Sequence, residues 1–295
     1  MYEKILVPLD GSSEAEIVLP YVEGIGAKFG AEIILVSVLE PGEGERDQLY
    51  RYYLERIAKQ LQRQLKNWDP KTGVVVRSEA LMGRPGNEIM RYADENDVSL
   101  ITLASYGRSG RSPWFLGNVA AKVLRATGKP VLLIRAAADR ATLKRKSLMK
   151  RILVPLDGSP AGETAISYAE ALGQVLGSEL VLFQVVKPPV PIGIEAPTMS
   201  NIYEEELERT RASAVVYLDR VGKKLQEKGL STSNAIHLGP PADQIIDYAE
   251  ANAIDLIAMS THGRSGIGRW VFGSVTDKVV HAGNTAVLTI RASGS

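Results

Sequence analysis

Ile5-Leu-Val-Pro-Leu-Asp-Gly-Ser12 returns unchanged as Ile152-Leu-Val-Pro-Leu-Asp-Gly-Ser159. An apolar run closed by Pro-Leu-Asp-Gly-Ser and followed by a helical pattern reads as a strand that turns into a helix. Open α/β sheets carry their ligand loops at such junctions. Periods of about 20 to 50 residues would mean a solenoid, whereas copies this far apart mean two whole domains.

The copy persists to the end of each half. Gly107-Arg-Ser-Gly110 recurs as Gly263-Arg-Ser-Gly266, and Trp114, Gly117, Val119, Lys122 and Val123 match Trp270, Gly273, Val275, Lys278 and Val279. Val131-Leu132 and Ile134-Arg135 match Val287-Leu288 and Ile290-Arg291. The offset is larger here than at the first strand, so the second half carries a net insertion in its middle.

A length of 295 residues suits two domains of about 140 residues each. The division expected is a first domain over 1–137, a linker over 138–149 and a second domain over 150–295. A net charge of +1 implies no general attraction to DNA or to an acidic membrane surface. The absence of cysteine removes disulfides, thiolate metal sites and a cysteine nucleophile, which fits a cytoplasmic location. The first strand begins at about Glu3 and is expected to leave no room for a signal peptide. No apolar run approaches the roughly 18 residues needed to span a bilayer.

Short runs rich in Val, Ile and Leu alternate with longer helical patterns. Strands are expected at Lys4–Leu9, Glu32–Leu39, Val74–Leu81, Leu100–Ala104 and Val131–Arg135. Their counterparts are Arg151–Leu156, Glu179–Val186, Thr232–Leu238, Leu256–Ser260 and Ala286–Arg291. Runs apolar on both faces are what parallel strands need when helices cover both sides, and strict βαβ alternation implies a doubly wound parallel sheet. Helices are expected over Glu14–Phe29, Asp47–Asn67, Ala161–Leu176 and Asn201–Lys228. In the second of these, Leu54, Ile57, Leu61 and Leu65 form one buried stripe, and Tyr50, Tyr52 and Tyr53 read as packing residues rather than a base-stacking platform. The Pro-rich stretch Lys187–Ser200 is the insertion and reads as an exposed loop, and Lys144-Arg145-Lys146 reads as solvated linker.

Three features recur at strand ends. The first is Pro8-Leu-Asp10 and Pro155-Leu-Asp157. Such an Asp can accept hydrogen bonds from a ligand or help cap the next helix, with Ser12 or Ser13 as the cap. The second is Gly83-Arg-Pro-Gly and Gly239-Pro-Pro-Ala after the third strand, where Gly permits unusual φ and Pro presets the first helical turn.

The third is the most informative. The fourth strand ends in Ala104-Ser-Tyr-Gly107 or Ser260-Thr-His-Gly263, and nine residues later Gly117-Asn118 or Gly273-Ser274 opens a helix. A glycine at a helix N-terminus presents free N–H groups to an anion, with the helix dipole in support. Successive N–H groups in a Gly-rich loop make a further anion nest. Arg108, Arg111, Arg264 and Arg269 lie in or beside this loop and can supply charge-assisted bonds to phosphate. The bland alternative is a glycine-rich connection with ordinary caps. There is no Gly-x4-Gly-Lys-[Ser/Thr] loop, and Gly24, Gly26 and Gly30 fall late in a helix, out of place for a dinucleotide fingerprint. Of the three histidines, His237 and His281 are isolated and His262 adjoins the glycine loop.

The Val-Pro-Leu-Asp-Gly-Ser start, the Gly-x-Pro loop and the Gly-Arg-Ser-Gly stretch before Gly-Ser-Val resemble the universal stress protein family, over both halves nearly end to end. The resemblance implies two tandem Rossmann-like domains, each a five-stranded parallel sheet of order 3-2-1-4-5. It also implies a pattern Gly-x2-Gly-x9-Gly-[Ser/Thr] that binds ATP or AMP. In that branch the first-strand Asp and a second-strand Val lie near adenine and ribose, and the glycine loop holds the phosphates.

Carried over residue by residue, the candidate site of the second half has Pro155, Leu156, Asp157 and Val185 at the base and ribose end. Gly239 and Met259 belong to it as well, with Ser260 at the first glycine position and His262 able to touch a phosphate. Gly263, Arg264, Gly266, Gly273, Ser274 and Val275 lie around the phosphates. The first half offers Pro8, Leu9, Asp10 and Val38, then Gly83, Leu103 and Ala104, then Gly107, Arg108, Gly110, Gly117, Asn118 and Val119. It departs from the pattern at Ala104 and at Asn118, which is bulkier than Ser beside a phosphate, whereas the second half departs only at Ser260, a small residue in place of the first glycine, so the second site ranks above the first. Asp10 or Asp157 is the candidate to seat a Mg²⁺ that arrives with the nucleotide.

The leading reading is a nucleotide-binding regulatory protein of the stress response with little or no turnover. The alternatives are a slow ATP hydrolase and a protein-interaction module that binds no nucleotide and recognises an unknown protein partner. By the same resemblance, the last strands Val131–Arg135 and Ala286–Arg291 are expected to pair within one chain as a pseudo-dimer, with a homodimer of chains as a further step.

Overall fold

The structure, a computed structural model, describes residues 1–42, 46–68, 73–107, 116–135, 149–187, 198–263 and 272–292, without the side chains of 68 and 198–203. The described residues gather into two compact units.

The first unit contains strands β1 (Lys4–Pro8), β2 (Glu32–Leu39), β3 (Val76–Met82), β4 (Leu100–Ala104) and β5 (Val131–Ile134). They pair in parallel in the order β3-β2-β1-β4-β5, the 3-2-1-4-5 arrangement expected. The last strand of the chain, β10 (Ala286–Ile290), clusters with this unit. It runs antiparallel to β5, with Val287, Leu288 and Thr289 opposite Leu133, Leu132 and Val131, so the two last strands pair as expected. The helices are α1 (Leu19–Phe29), α2 (Asp47–Trp68), α3 (Pro85–Glu95) and α4 (Asn118–Ala126).

The second unit repeats the plan with β6 (Arg151–Pro155), β7 (Glu179–Val186), β8 (Ser231–Leu238) and β9 (Leu256–Ser260), parallel in the order β8-β7-β6-β9. Its helices are α5 (Pro160–Leu176), α6 (Thr198–Gln226), α7 (Pro241–Ala251) and α8 (Ser274–Ala282).

The sheets are central because their inner strands are buried on both faces. Ile5, Leu6 and Val7 in β1 and Ile152, Leu153 and Val154 in β6 are fully buried. The α2 stripe of Leu54, Ile57, Leu61 and Leu65 is likewise buried, each side chain contributing about 1.5–3 kcal/mol by leaving water. Tyr50 packs inward and Tyr53 bonds Glu16, but Tyr52 is 69% exposed, because it falls on the opposite side of the helix. The packing expectation therefore holds for two of the three tyrosines.

The two first helices start differently. In the second half Pro160 opens α5, a position where a missing N–H costs nothing, and the helix runs unbroken to Leu176. In the first half the helix expected from Glu14 begins as a 3₁₀ turn over Ala15–Val18, and α1 proper starts just before Pro20. Pro20 lacks the N–H that would continue an α-helical ladder from that turn. Gly24 and Gly26 lie inside α1, and a Cβ on Gly26 would stand 2.7 Å from the Ile33 side chain, so Gly26 serves close helix–sheet packing. Most of the expected linker, including Lys144-Arg145-Lys146, and most of the Pro-rich loop lie outside the described residues.

Candidate functional site

Each unit has a crevice beyond the carboxyl ends of its strands, where β1 meets β4 and β6 meets β9. Strand order reverses there, which is where open α/β sheets hold ligands.

One wall is the Asp turn. Asp157 Oδ1 accepts hydrogen bonds from the Ser159 backbone N–H at 3.0 Å and the Ser159 hydroxyl at 2.6 Å. Ser159 Oγ in turn accepts from Gly162 N–H at 3.0 Å and so caps α5. The first half builds the same turn. Asp10 Oδ1 accepts from the Ser12 N–H at 2.9 Å and hydroxyl at 2.5 Å, and Ser12 Oγ accepts from Ala15 N–H at 3.2 Å. The cap is Ser12, not Ser13, whose hydroxyl goes to Glu14. The capping reading of the Asp turn therefore holds, since one carboxylate oxygen braces the turn, and the residue also lines the crevice.

The opposite wall is the glycine segment. A Cβ on Gly263 would overlap Asp157 Oδ2, and one on Gly107 would overlap Asp10 Oδ2. Gly273 N–H donates to Thr261 O at 2.9 Å and Gly117 N–H to Ser105 O at 2.7 Å, which ties each helix start to the end of its strand. These glycines are the N-caps of α8 and α4, so neither helix is capped by the side chain of its N-cap residue. Ser274 and Asn118 are first helical residues rather than caps. The open first turns keep their partial positive charge, the ordinary basis of anion binding at helix N-termini.

The family model for the universal stress protein family matches residues 1–135 and again 149–291. The chain belongs to the universal stress protein family. A universal stress protein of Synechocystis is 24% identical and aligns over 98% of this chain and 100% of its own. A universal stress protein of Methanocaldococcus jannaschii is 29% identical over 50% of this chain and 84% of its own, one repeat's worth. A solved universal stress protein from Archaeoglobus fulgidus is similar in fold, with a TM-score of 0.65 at 21% identity, over 99% of this chain and 97% of that one.

In this member of the family the second crevice has a volume near 380 Å³ and the first near 460 Å³, both within the range of small-molecule pockets. Pro155, Leu156, Asp157 and Val185 line the second, together with Met259, Ser260, His262, Gly263, Gly273, Ser274 and Val275. Pro8, Leu9, Asp10 and Val38 line the first, with Leu103, Ala104, Gly107, Gly117, Asn118 and Val119. Arg108, Gly110, Arg111, Arg264, Gly266 and Arg269 lie outside the described residues.

Gly83 and Gly239 do not line the crevices. Both hold positive φ, 143° and 134°, and turn the chain from a strand into α3 or α7, so their part is the helix entry. Their neighbours Pro85 and Pro241 reach the crevices instead.

Sequence reasoning missed the residues that make the two sites differ. Where the first crevice has Val36 and Glu40, the second has Phe183 and Lys187. Gln184 also lines the second, and Thr210 reaches it from α6. Aligning the two second strands would have exposed the Glu40-to-Lys187 reversal. Two buried side-chain atoms without a hydrogen-bond partner among the described residues, Gln184 Oε1 and His262 Nε2, belong to residues lining the second crevice. His262 Nδ1 is 2.9 Å from Thr261 Oγ1, which fixes the ring beside the glycine segment. His237 bonds Gln244 and His281 bonds the Asp277 carbonyl, as isolated histidines do.

A clasp stands behind each Asp turn. Tyr217 OH donates to Glu163 Oε1 at 3.0 Å, and Arg220 lies 5.5 Å from the Tyr217 ring centroid. Tyr53 OH donates to Glu16 Oε1 at 3.0 Å, and Arg56 lies 5.6 Å from its ring. Burial raises both phenols above the ordinary tyrosine value, and the negative charges of Glu163 and Asp157, or Glu16 and Asp10, add to the rise.

Proposed function

We propose that this universal stress protein binds an adenine nucleotide, ATP or AMP, more tightly in the second crevice than in the first, and acts as a regulatory binder rather than a catalyst. The observation that carries the reading is the paired wall in each unit, an Asp turn facing a glycine segment that ends in a helix with a glycine N-cap. This arrangement offers N–H donors to phosphate and a carboxylate to ribose hydroxyls.

The ranking of the two sites rests on charge. Lys187 lines the second crevice where Glu40 lines the first, so an anionic ligand meets attraction in one and repulsion in the other. His262 Nε2, which has no hydrogen-bond partner among the described residues, adds a group that can bond a phosphate oxygen. Among the described residues no three His, Cys, Asp or Glu side chains are grouped to hold a metal. Any Mg²⁺ would therefore arrive on the phosphates, with Asp157 in the second crevice and Asp10 and Glu40 in the first as the carboxylates that line the site.

The test is calorimetric titration of ATP with Mg²⁺ into nucleotide-stripped protein, beside Lys187→Glu and Glu40→Lys. Lys187→Glu is expected to weaken the tighter site about tenfold and Glu40→Lys to strengthen the weaker one. No heat and no thermal stabilisation in the wild type with ATP, ADP or AMP at millimolar concentration would end this reading in favour of a protein-interaction module.

A further inference from the structure

We propose that Gln184 reads the base of the nucleotide in the second crevice. This rests on the reading above and asks what in this chain selects the ligand's flat end.

Gln184 sits one residue beyond Phe183, the last β7 position paired with β6, and one before Val185. All three residues line the crevice. The Gln184 carbonyl oxygen is buried and accepts no hydrogen bond among the described residues. A covered acceptor without a donor is costly, and a terminal amide rotates easily, so a ligand that offers a donor here gains the bond this side chain lacks. An amide presents an acceptor beside a donor, and that pair matches the amino group and adjacent ring nitrogen of an aminopurine edge.

Phe183 is fully buried and lies 4.8 Å from the Tyr248 ring and 5.2 Å from His237, centroid to centroid, so the strand that carries Gln184 is fixed by aromatic packing beneath it. The first crevice has Val36 in place of Phe183. The equivalent strand position is Ser37, which is buried and spends its hydroxyl on the Leu9 carbonyl at 2.6 Å. Both halves share the phosphate-facing frame, but only the second has an amide at the other end.

The test compares ATP with inorganic tripolyphosphate, titrated into the wild type and into Gln184→Leu, a substitution close to it in size. The expected result is a five- to tenfold loss of ATP affinity in the variant with tripolyphosphate affinity unchanged. Gln184→Ser, which copies Ser37, is expected to give the same loss, and unchanged thermal melts would exclude misfolding as the cause. Equal ATP affinity in wild type and variants, or a parallel fall for both ligands, would overturn the proposal. A wild type that binds tripolyphosphate as tightly as ATP overturns base reading but leaves an anion site. A wild type that binds neither removes the nucleotide function itself.

Discussion

The Cα of Gly263 lies so close to Asp157 that a β-carbon there would overlap the carboxylate oxygen Oδ2, while Oδ1 is held by Ser159. The carboxylate is thus clamped between the turn that follows β6 and the segment that follows β9. Gly107 and Asp10 repeat the clamp in the first unit. One added methyl is therefore a probe of the site more than of the core.

Gly263→Ala is expected to push Asp157 off its turn and lower nucleotide affinity in the second crevice about tenfold or more. The cooperative fold should survive, with melting lower by a few degrees, about the effect of 1 kcal/mol. Calorimetry on this variant and on Gly107→Ala separates the two crevices. Wild-type affinity in Gly263→Ala would show that the clamped carboxylate plays no part in holding ligand.

The caps of α8 and α4 respond unequally to the same change. A Cβ on Gly273 would stand 2.8 Å from the Thr261 carbonyl oxygen, and one on Gly117 3.4 Å from the Ser105 oxygen. Both glycines hold ordinary extended backbone, so no φ penalty enters. A backbone oxygen cannot swing aside. Gly273→Ala is therefore expected to cost about 1–3 kcal/mol and Gly117→Ala less than about 1 kcal/mol, read from urea midpoints at constant slope. Equal costs would mean that the second segment relaxes as freely as the first.

The repeat made most of the frame readable before any coordinates. β2, β4, β7 and β9 span the residues expected, because strands buried on both faces read as nearly continuous apolar runs. The edge strands were less legible. β3 starts at Val76 rather than Val74 and runs on to Met82, since half-exposed strands mix polar and apolar positions. The site's backbone followed from glycine and Asp spacing. Its differences did not, because Gln184, Lys187 and Thr210 carry no motif and meet the site only through register and helix position. The Glu–Tyr–Arg clasps were equally hidden, each joining residues far apart in the chain, Glu16 with Tyr53 and Glu163 with Tyr217.

Alkaline stability tests three buried phenols. Burial first, then the hydrogen bond to Glu79, pushes Tyr92 up to about 12, and Tyr53 and Tyr217 are raised as well. A phenol with a folded-state value above its unfolded value of about 10 keeps its proton in the folded chain after the unfolded chain has lost it. Its contribution is complete below pH 10 and is lost as pH rises above that. Stability should therefore fall between pH 10 and 12 by up to about 1.4 kcal/mol per pH unit for each such tyrosine. Tyr92→Phe should flatten part of that fall. An unchanged slope in urea midpoints taken across this range would mean that Tyr92 ionises as freely folded as unfolded.

The clasps themselves are testable as pairs. Tyr217→Phe keeps the ring beneath Arg220 and removes only the bond to Glu163, which still lies 3.9 Å from the Arg220 guanidinium. The expected cost is about 1 kcal/mol, and a cycle with Glu163→Gln should return a coupling of about 0.5–1.5 kcal/mol. Tyr53→Phe with Glu16→Gln should give a matching value, because geometry and partners repeat to within 0.1 Å in both the hydrogen bond and the ring distance. The clasp braces the helices behind Asp157 and does not line the crevice, so nucleotide affinity should move less than about twofold. A larger change in affinity with an unchanged melting temperature would assign Tyr217 to the ligand rather than to the frame.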